Sequence, residues 1–267
     1  MEKGTNSNTR YALNYIGTEK IEEINAYIDR VLNEDRKEFE NFNEIETIFS
    51  EFLNTFYERT SAEERQHIQS YTGLNFRKVN SYLRGVWDYE KNGRLTEEIK
   101  NEASELASSL RKVLLKAPVL PFNMLVYRGV GIETFYSYGI TKIEDLIYLK
   151  DRFMYEDGFT STSLLRSNSF YENKPEWGSF CNIEIECIVP SESEDGLPLI
   201  DSDMSYSENQ LEFLINSSSL FKVIDVEINK EQNTARIKTI LIPQKLWNPL
   251  DYEMERNQNK LTWKSLF

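Results

Sequence analysis

The chain has 267 residues, of which 40% are hydrophobic and 13% aromatic, and its formal net charge is -13. This length and composition suffice for one sizeable hydrophobic core or two small ones. The acidic balance argues against a nucleic acid as the main partner, because neutralising phosphates requires clustered Lys and Arg side chains. The sequence has no apolar run of about eighteen residues and begins with a polar stretch, so it predicts a soluble protein without a transmembrane helix or a visible secretory signal.

Apolar residues recur at helical spacing up to about residue 120. The amphipathic segments cover residues 21–31, 39–56, 74–87 and 95–115. The last segment is followed by Ala117-Pro118, which is typical of a helix end. The N-terminal part of the chain is therefore predicted to be mostly helical.

After Pro121 the chain breaks into short segments rich in β-forming residues, separated by Gly, Asn, Pro, Ser and Asp. The predicted strands cover residues 124–127, 158–164, 180–189, 210–214, 221–228 and 235–242. One helical insert is predicted over residues 132–148. The pattern indicates an α+β fold, with an N-terminal helical lobe packed on a mixed, mainly antiparallel β-core.

The same pattern predicts the domain organisation. Residues 1–16 are expected to be a flexible N-terminus, and residues 17–58 a helical N-terminal segment. Residues 59–267 then form the main domain, or one continuous domain begins at residue 17.

The chain contains two cysteines, Cys181 and Cys187, and one histidine, His67. The cysteines lie in a segment that alternates like a strand, so we expect them on one face, reduced and buried. A single histidine allows no His/Cys metal cluster and no Ser-His-Asp triad. We therefore predict no metal site, and we place His67 on a helix surface.

Three short motifs carry the chemistry: Tyr127-Arg128-Gly129, Ser161-Thr162-Ser163 and Gln210-Leu211-Glu212. An arginine at a strand end can bind phosphate oxygens bidentately, and the glycine after it lets a ligand approach the backbone. Strand alternation places the two serines on one face, and it places Gln210 beside Glu212 with Leu211 facing the core. Each motif alone is more typical of an ordinary strand. Gly129-Val130-Gly131 is not a dinucleotide-binding fingerprint, because its third glycine and a βαβ unit are missing.

In this order the motifs resemble the Arg, Ser-Thr-Ser and Gln-x-Glu signature of the mono-ADP-ribosyltransferase toxins. The resemblance is to the branch of the clostridial Rho-modifying exoenzymes and the catalytic components of actin-modifying binary toxins. Upstream, Tyr71-Thr72 followed by Asn80 and Leu83-Arg84 is similar to the helical entry segment of that branch. The resemblance implies an ADP-ribosyltransferase-like fold over residues 59–267, NAD as substrate and no metal.

The resemblance also implies roles for individual residues. Arg128 and Gly129 would hold the phosphates, Ser161 would orient Glu212, and Glu212 would stabilise the ribosyl cation. Gln210 would position the acceptor. Further NAD contacts are implied for residues on the entry helix and in the loop after the Ser-Thr-Ser strand, namely Asn80, Arg84, Arg166 and Phe170 or Tyr171.

Gln210 also bears on the acceptor, because in this family a glutamine there accompanies asparagine of Rho-type GTPases or guanine in DNA. The acidic charge disfavours DNA, so the prediction is a protein acceptor such as an asparagine. The Rho-modifying enzymes usually carry an aromatic residue three positions before this glutamine, where Ser207 stands here, and Tyr206 lies one position further back. Tyr206 is therefore the candidate for acceptor recognition.

Two other functions remain open. With water as the acceptor, the same residues would make an NAD glycohydrolase. Alternatively, the chain is a catalytically silent module whose helical segment, residues 17–58, binds a translocation component or an antidote protein. For an active toxin or effector we expect secretion, or delivery into a target cell by a route that shows no signal peptide.

Overall fold

The computed structural model describes residues 18–86, 94–169, 181–191, 193–201, 203–205 and 211–247. Their α-helices precede almost all of the strands, and the predicted α+β fold is confirmed. The helices are α1 (Thr18–Leu32), α2 (Phe42–Arg59), α3 (Ala62–Ser70), α4 (Phe76–Arg84) and α5 (Glu97–Leu114). A π-helical turn, Tyr71–Asn75, joins α3 to α4.

The strands of the described residues form one sheet. They are β1 (Arg36–Lys37), β2 (Asn123–Val130), β3 (Phe153–Glu156), β4 (Thr160–Ser163), β5 (Ile183–Val189), β6 (Gly196–Leu199), β7 (Glu212–Ile215), β8 (Ser219–Asn229) and β9 (Thr234–Ile242). The order across the sheet is β3-β8-β9-β5-β2-β4-β7-β6, and β1 pairs with β2. Only the β5–β9 and β1–β2 pairs are parallel among these strands, so the predicted mixed, mainly antiparallel core is confirmed.

Side-chain caps fix where the helices begin. The Asn41 side chain accepts a hydrogen bond from Glu44 N at 3.0 Å, so α2 begins at Phe42 and not at residue 39. Ser61 and Glu64 form a reciprocal capping box at the start of α3. These caps satisfy backbone N–H groups that a helix leaves unpaired at its N-terminus.

The sheet is covered on both faces. On one face, Ile24, Ile28 and Val31 of α1 pack in a cluster that includes Leu125 and Tyr127 of β2. On the other face, the apolar side chains of α2 and α5 join a larger cluster. This cluster includes Met124 and Val126, which alternate along β2 with Leu125 and Tyr127. Helices α1 and α2 therefore pack against opposite faces of the same sheet.

Several predicted elements differ from the observed ones. The insert over 132–148 is two 3-10 helices, Ile132–Tyr138 and Ile143–Leu149, and not one helix. Gly139, whose φ of 73° lies in the left-handed region, caps the first and breaks the run. Strands β3 and β6 were not predicted, because each has four residues that form strands only through their partners β8 and β7.

The predictions for the cysteines and the histidine are only partly correct. Both cysteines are free; Cys187 is buried in β5, but Cys181 precedes the strand and is half-buried. His67 is also half-buried on α3, and its Nδ1 atom is shielded from solvent. In the described residues no group of three or more His, Cys, Asp or Glu side chains could hold a metal ion, and no described helix is long and apolar enough to cross a membrane.

Asp195 should make stability depend on pH. Its carboxyl is buried between Ser193 Oγ, which donates to it at 3.0 Å, and Gln244 N at 3.2 Å, and burial raises its pKa to about 6. The folded-state pKa lies above the unfolded one, so the contribution of this group to stability is present at low pH and is lost as pH rises through about 6. An Asp195→Asn variant should remove this loss of about 3 kcal/mol in the free energy of unfolding. Denaturant unfolding of both proteins across that pH range measures it. Equal pH slopes would contradict this expectation.

Candidate active site

Glu212 is the first residue of β7, and its side chain is only 6% exposed. It lies opposite Ser163 of β4 on one side and opposite Leu199 of β6 on the other. The preceding residue, Leu211, has a φ of 45°, in the left-handed region, and its carbonyl accepts a hydrogen bond from Leu164 N at 2.9 Å. The backbone therefore turns sharply just before Glu212 enters the sheet.

This turn corrects the strand prediction for residues 210–214. The strand begins at Glu212, so strand alternation does not extend back through Leu211, although Leu211 is buried as predicted. Gln210 lies outside the described residues, as do Tyr206, Phe170 and Tyr171. Their predicted roles remain predictions.

The electrostatics of Glu212 are set by three influences. Burial dominates and raises the pKa of the carboxyl, whereas a hydrogen bond with Ser161 and the charge of Arg128 act in the opposite direction. Ser161 is exposed on β4 opposite Leu214, which makes it a diagonal neighbour of Glu212. The structure thus brings together Ser161, Glu212 and Arg128, the three predicted catalytic residues that it describes.

Arg128 lies on β2 opposite Ile185 of β5 and is half-buried. Among the described residues no hydrogen bond or ion pair of its guanidinium is formed. Burial lowers the pKa of Arg128, and the neighbouring positive charge of Arg84 lowers it further. Arg84 and Arg128 are adjacent cations, and Arg128 has no carboxylate partner in the parts of the chain that the structure describes. An anionic ligand would stabilise such a site.

Arg84 and Asn80 come from the last two turns of α4, and both contact the chain segment that precedes β4. Arg84 Nε donates to Glu156 Oε1 at 2.8 Å. Burial is the largest single influence and lowers the pKa of Arg84, but the charge and hydrogen bond of Glu156, with smaller effects of Tyr71 and Asp157, together raise it. Asn80 donates to Tyr71 Oη at 3.0 Å and to the Phe159 carbonyl at 3.2 Å, and it accepts from Phe159 N at 2.9 Å. These contacts favour a structural role for Asn80 in fixing the chain before β4.

Helix α4 lies close to the chain segment that precedes β4. A Cβ atom at Gly158 would lie 2.8 Å from Asn80 Oδ1 and 3.2 Å from Arg84 Nε, so only glycine fits without a shift. Tyr71, 1% exposed, packs edge-on against Phe159 with ring centroids 5.2 Å apart. Burial and the negative charge of Glu212 raise the pKa of Tyr71, which places this phenol within the electrostatic field of the site.

A cavity of about 510 Å³ opens beside both arginines. Arg84, Arg128 and Glu156 contribute to its lining, and aromatic side chains from the 132–138 helix and from the sheet form much of its wall. Thr160 and Thr162 line it from β4, so by strand alternation it lies on the opposite face of that strand from Ser161. Its size is within the range of small-molecule sites.

Arg166, predicted to contact NAD, is engaged elsewhere. Its Nε and Nη2 atoms donate to the two carboxylate oxygens of Glu184 at 2.9 and 2.6 Å, and Arg236 Nε donates to the same carboxylate at 2.9 Å. Gly129 N, next to Arg128, donates to the Ser169 carbonyl at 2.5 Å. These contacts fix the chain after β4 against β2 and β5.

Comparison with known proteins shows the family of the chain. The family model of the ADP-ribosyltransferase exoenzymes matches residues 2–243. The chain belongs to this family. A search of curated proteins found no match to it.

Solved structures of ADP-ribosyltransferase toxins share the fold of this exoenzyme family member. C3stau2 from S. aureus, solved with NAD, is 19% identical with a TM-score of 0.63, over 79% of this chain and 100% of that one. The C3 exoenzyme of Clostridium limosum is 21% identical with a TM-score of 0.60, over 78% and 98%. BECa, from a binary enterotoxin of C. perfringens and solved with NADH, is 20% identical with a TM-score of 0.56, over 78% of this chain and 50% of that one.

Sequence reasoning missed Glu156 as a site residue and gave Tyr71 no role. Glu156 Oε1 accepts from both Arg84 Nε and Gly158 N, each at 2.8 Å, and so ties α4 to the chain before β4. An acidic residue two positions before a glycine is too common a pattern to single out from sequence. Tyr71 lies within the predicted helical entry segment, but its burial against Phe159 depends on a contact between residues distant in sequence.

A Ser161→Ala variant should move the acid limb of the pH dependence of nicotinamide release to higher pH. The Ser161 hydroxyl favours the ionised form of Glu212, so its removal raises the pKa of that carboxyl further and less carboxylate is present at a given pH. Nicotinamide release at saturating NAD, followed across pH, measures the shift. Ser167→Ala, at an exposed serine just beyond the strand, is the matched control. A Ser161→Ala profile that coincides with that of the wild type would refute this assignment.

Proposed function

We propose that the chain is an NAD-dependent mono-ADP-ribosyltransferase that releases nicotinamide and transfers ADP-ribose to a side chain of a target protein. The observation that carries the proposal is the buried Glu212, hydrogen-bonded by Ser161 and in the field of Arg128, in a chain of this family. A carboxylate held out of water and oriented in advance suits a reaction in which positive charge develops beside it.

The reaction breaks the bond between the nicotinamide nitrogen and the anomeric carbon of ribose, and the bonding electrons leave with nicotinamide. The ribose then resembles an oxocarbenium ion, as in glycoside hydrolysis. Glu212 stabilises this cation through the ribose 2'-hydroxyl, and the interaction strengthens as the charge grows. The acceptor's nucleophilic atom finally bonds to the anomeric carbon and loses its proton.

Arg128 holds the diphosphate of NAD in this proposal. Its guanidinium has no described carboxylate partner, and Arg84 beside it supplies a second positive charge although Glu156 engages its Nε atom. Both arginines also line a cavity of about 510 Å³ with aromatic walls. Gly129 lets the backbone approach the phosphates. The scheme uses no metal.

The acceptor is a protein side chain, and we propose an asparagine of a Rho-type GTPase as the first candidate. Gln210 and Tyr206 recognise it, since an amide can hydrogen-bond an amide acceptor but cannot deprotonate a guanidinium. Asn80 supports the site through Phe159 and Tyr71. Arg166 fixes the chain that leads to Phe170, which stacks on NAD.

The test incubates a cell lysate with the protein and biotin-labelled NAD, and quantifies both label on protein and free nicotinamide. Glu212→Gln and Gln210→Glu variants run in parallel. A labelled band that disappears with Glu212→Gln supports the transferase and identifies its target for site mapping. Nicotinamide without a labelled band indicates a glycohydrolase, and the absence of both signals supports a silent binding module.

A further inference from the structure

Arg84 and Arg128 are two cations that lie close together before any ligand binds. Burial lowers the pKa of Arg128 and the positive charge of Arg84 lowers it further, whereas the negative charge of Glu156 acts in the opposite direction. The two guanidinium groups therefore repel each other. Both are carried on long side chains with many rotamers, so repulsion alone would drive them apart in the free protein. A site for a diphosphate needs them together, which requires a group that opposes the repulsion.

Glu156 is such a group, and its own position is fixed. It is the last residue of β3 and lies opposite Ser219 of β8, which is fully buried. Its Oε1 atom accepts a hydrogen bond from Gly158 N at 2.8 Å and so satisfies a backbone donor of the turn that follows β3. Ser218 N donates to the Asp157 carbonyl at 3.2 Å and holds the same turn from the start of β8. The carboxylate is therefore anchored independently of Arg84.

Arg84 meets this carboxylate through one edge of its guanidinium. Its Nε atom donates to Glu156 Oε1 at 2.8 Å, and the two side chains are 35% and 24% exposed. Arg84 is the last residue of α4, and Gly85, with a φ of 67°, ends the helix there. Among the residues that the structure describes, no hydrogen bond of the Arg84 Nη atoms is formed. The planar guanidinium is thus held at Nε, and its Nη groups remain for phosphate oxygens.

The turn before β4 also restricts where the Arg84 side chain can lie. A Cβ atom at Gly158 would be only 3.2 Å from Arg84 Nε, so the backbone of the turn passes close to the guanidinium. Asn80 Oδ1 accepts from Phe159 N at 2.9 Å, which bonds the same turn to α4 one helical turn before Arg84. Helix α4 and the 156–159 turn therefore form one packed unit, in which Glu156 supplies the charged contact.

We propose that Glu156 is a positioning residue that holds Arg84 beside Arg128 against their repulsion, so that both guanidinium groups are preset for the diphosphate of NAD. This inference rests on the proposed function, which supplies the identity of the ligand. Glu156 acts on the ligand only through Arg84. Presetting removes the cost of ordering the Arg84 side chain from the binding step, so it favours NAD and ADP-ribose alike. Bond cleavage beside Glu212 is then unaffected.

The carboxylate also has an opposing effect, because its negative charge repels the phosphates. Both effects are moderated by solvent, since the Glu156 and Arg84 side chains are partly exposed. The hydrogen bond acts directly on Arg84, whereas the repulsion acts across the guanidinium and is partly cancelled by its charge. The positioning effect should therefore dominate, and loss of the carboxylate should weaken binding.

The first test measures ADP-ribose binding to the full chain by calorimetric titration. Glu156→Gln keeps an oxygen that can accept from Gly158 N and removes only the charge. We expect its Kd for ADP-ribose to be about tenfold above that of the wild type, as weakening of a hydrogen bond between charged groups allows. The KM for NAD should rise by the same factor, with kcat for nicotinamide release unchanged. Glu144→Gln, which makes the same charge change at an exposed position of the 143–149 helix, is the matched control.

A double-mutant cycle shows whether Glu156 acts through Arg84. In an Arg84→Met background the guanidinium is absent, and only the repulsion between Glu156 and the phosphates remains. Glu156→Gln should then leave the Kd for ADP-ribose unchanged or lower it, in contrast to the rise in the wild-type background. An equal rise in both backgrounds would overturn the proposal. So would binding of ADP-ribose by Glu156→Gln that is as tight as in the wild type, or tighter.

Kinetics separate positioning from a general structural defect and from the proposed function. A fall in kcat that parallels the rise in KM of Glu156→Gln would indicate distortion at Glu212 and would overturn the proposal. A wild-type protein that binds ADP-ribose but releases no nicotinamide would refute the proposed function, whereas the Kd values alone still decide the role of Glu156. A wild-type protein that binds no ADP-ribose would overturn both.

Discussion

A Glu212→Gln variant is expected to lose nicotinamide release by at least about a hundredfold to a thousandfold, the range found when one preorganised electrostatic contact to a transition state is removed. Glutamine has nearly the same shape and can still accept a hydrogen bond from Ser161. It lacks the negative charge that stabilises the ribosyl cation, so the loss should fall on kcat and leave NAD affinity close to that of the wild type.

The same variant should fold at least as stably as the wild type. Burial raises the pKa of Glu212, so the ionised carboxylate lowers the free energy of unfolding once the pH exceeds the ordinary pKa of a glutamate side chain. Glutamine removes that cost. Thermal unfolding near neutral pH measures this effect, and calorimetric titration with NAD measures affinity. Glu46→Gln, at an exposed position of α2, is the chemical control. Nicotinamide release near the wild-type rate in Glu212→Gln would remove Glu212 from the mechanism.

An Arg128→Lys variant should raise the KM for NAD about tenfold to a hundredfold, and Arg128→Ala should raise it further. Lysine retains the positive charge but loses the planar pair of donors that binds phosphate oxygens bidentately. Because the described structure shows no carboxylate partner for Arg128, neither change breaks an ion pair there. The expected loss is therefore one of binding and not of folding.

Two measurements separate these effects. Initial rates across NAD concentration give KM and kcat. Thermal unfolding without NAD should show no loss of stability, because the half-buried cation that is removed or replaced has no ion-pair partner in the described part of the chain. Arg30→Lys, at an exposed arginine of α1, controls for the substitution itself. An Arg128→Lys variant with unchanged KM for NAD, or one that unfolds at markedly lower temperature, would contradict the phosphate-binding role.

The sequence by itself determined the fold class and the order of the three motifs. Helical spacing before residue 120 and short alternating segments after it are local patterns, which follow from the periodicity of each element. Strands β2, β5, β8 and β9 were predicted with shifts of a few residues at their ends, because ends depend on caps and partners. The roles of Arg128, Ser161 and Glu212 came from the resemblance to a known family, and the family match agrees with it.

Only the tertiary structure decided how individual side chains are used. Arg166 and Arg128 both follow predicted strands. A buried carboxylate on β5 engages Arg166, whereas Arg128 is influenced by the charges of Arg84 and Glu156 without an ion pair among the described residues. The amide of Asn80, a predicted NAD contact, is hydrogen-bonded to Phe159 and Tyr71 in the structure. Such contacts join residues far apart in sequence, and no local periodicity encodes them. The Tyr57–Asp201 hydrogen bond has the same origin, since only folding brings α2 to the chain beside Glu212.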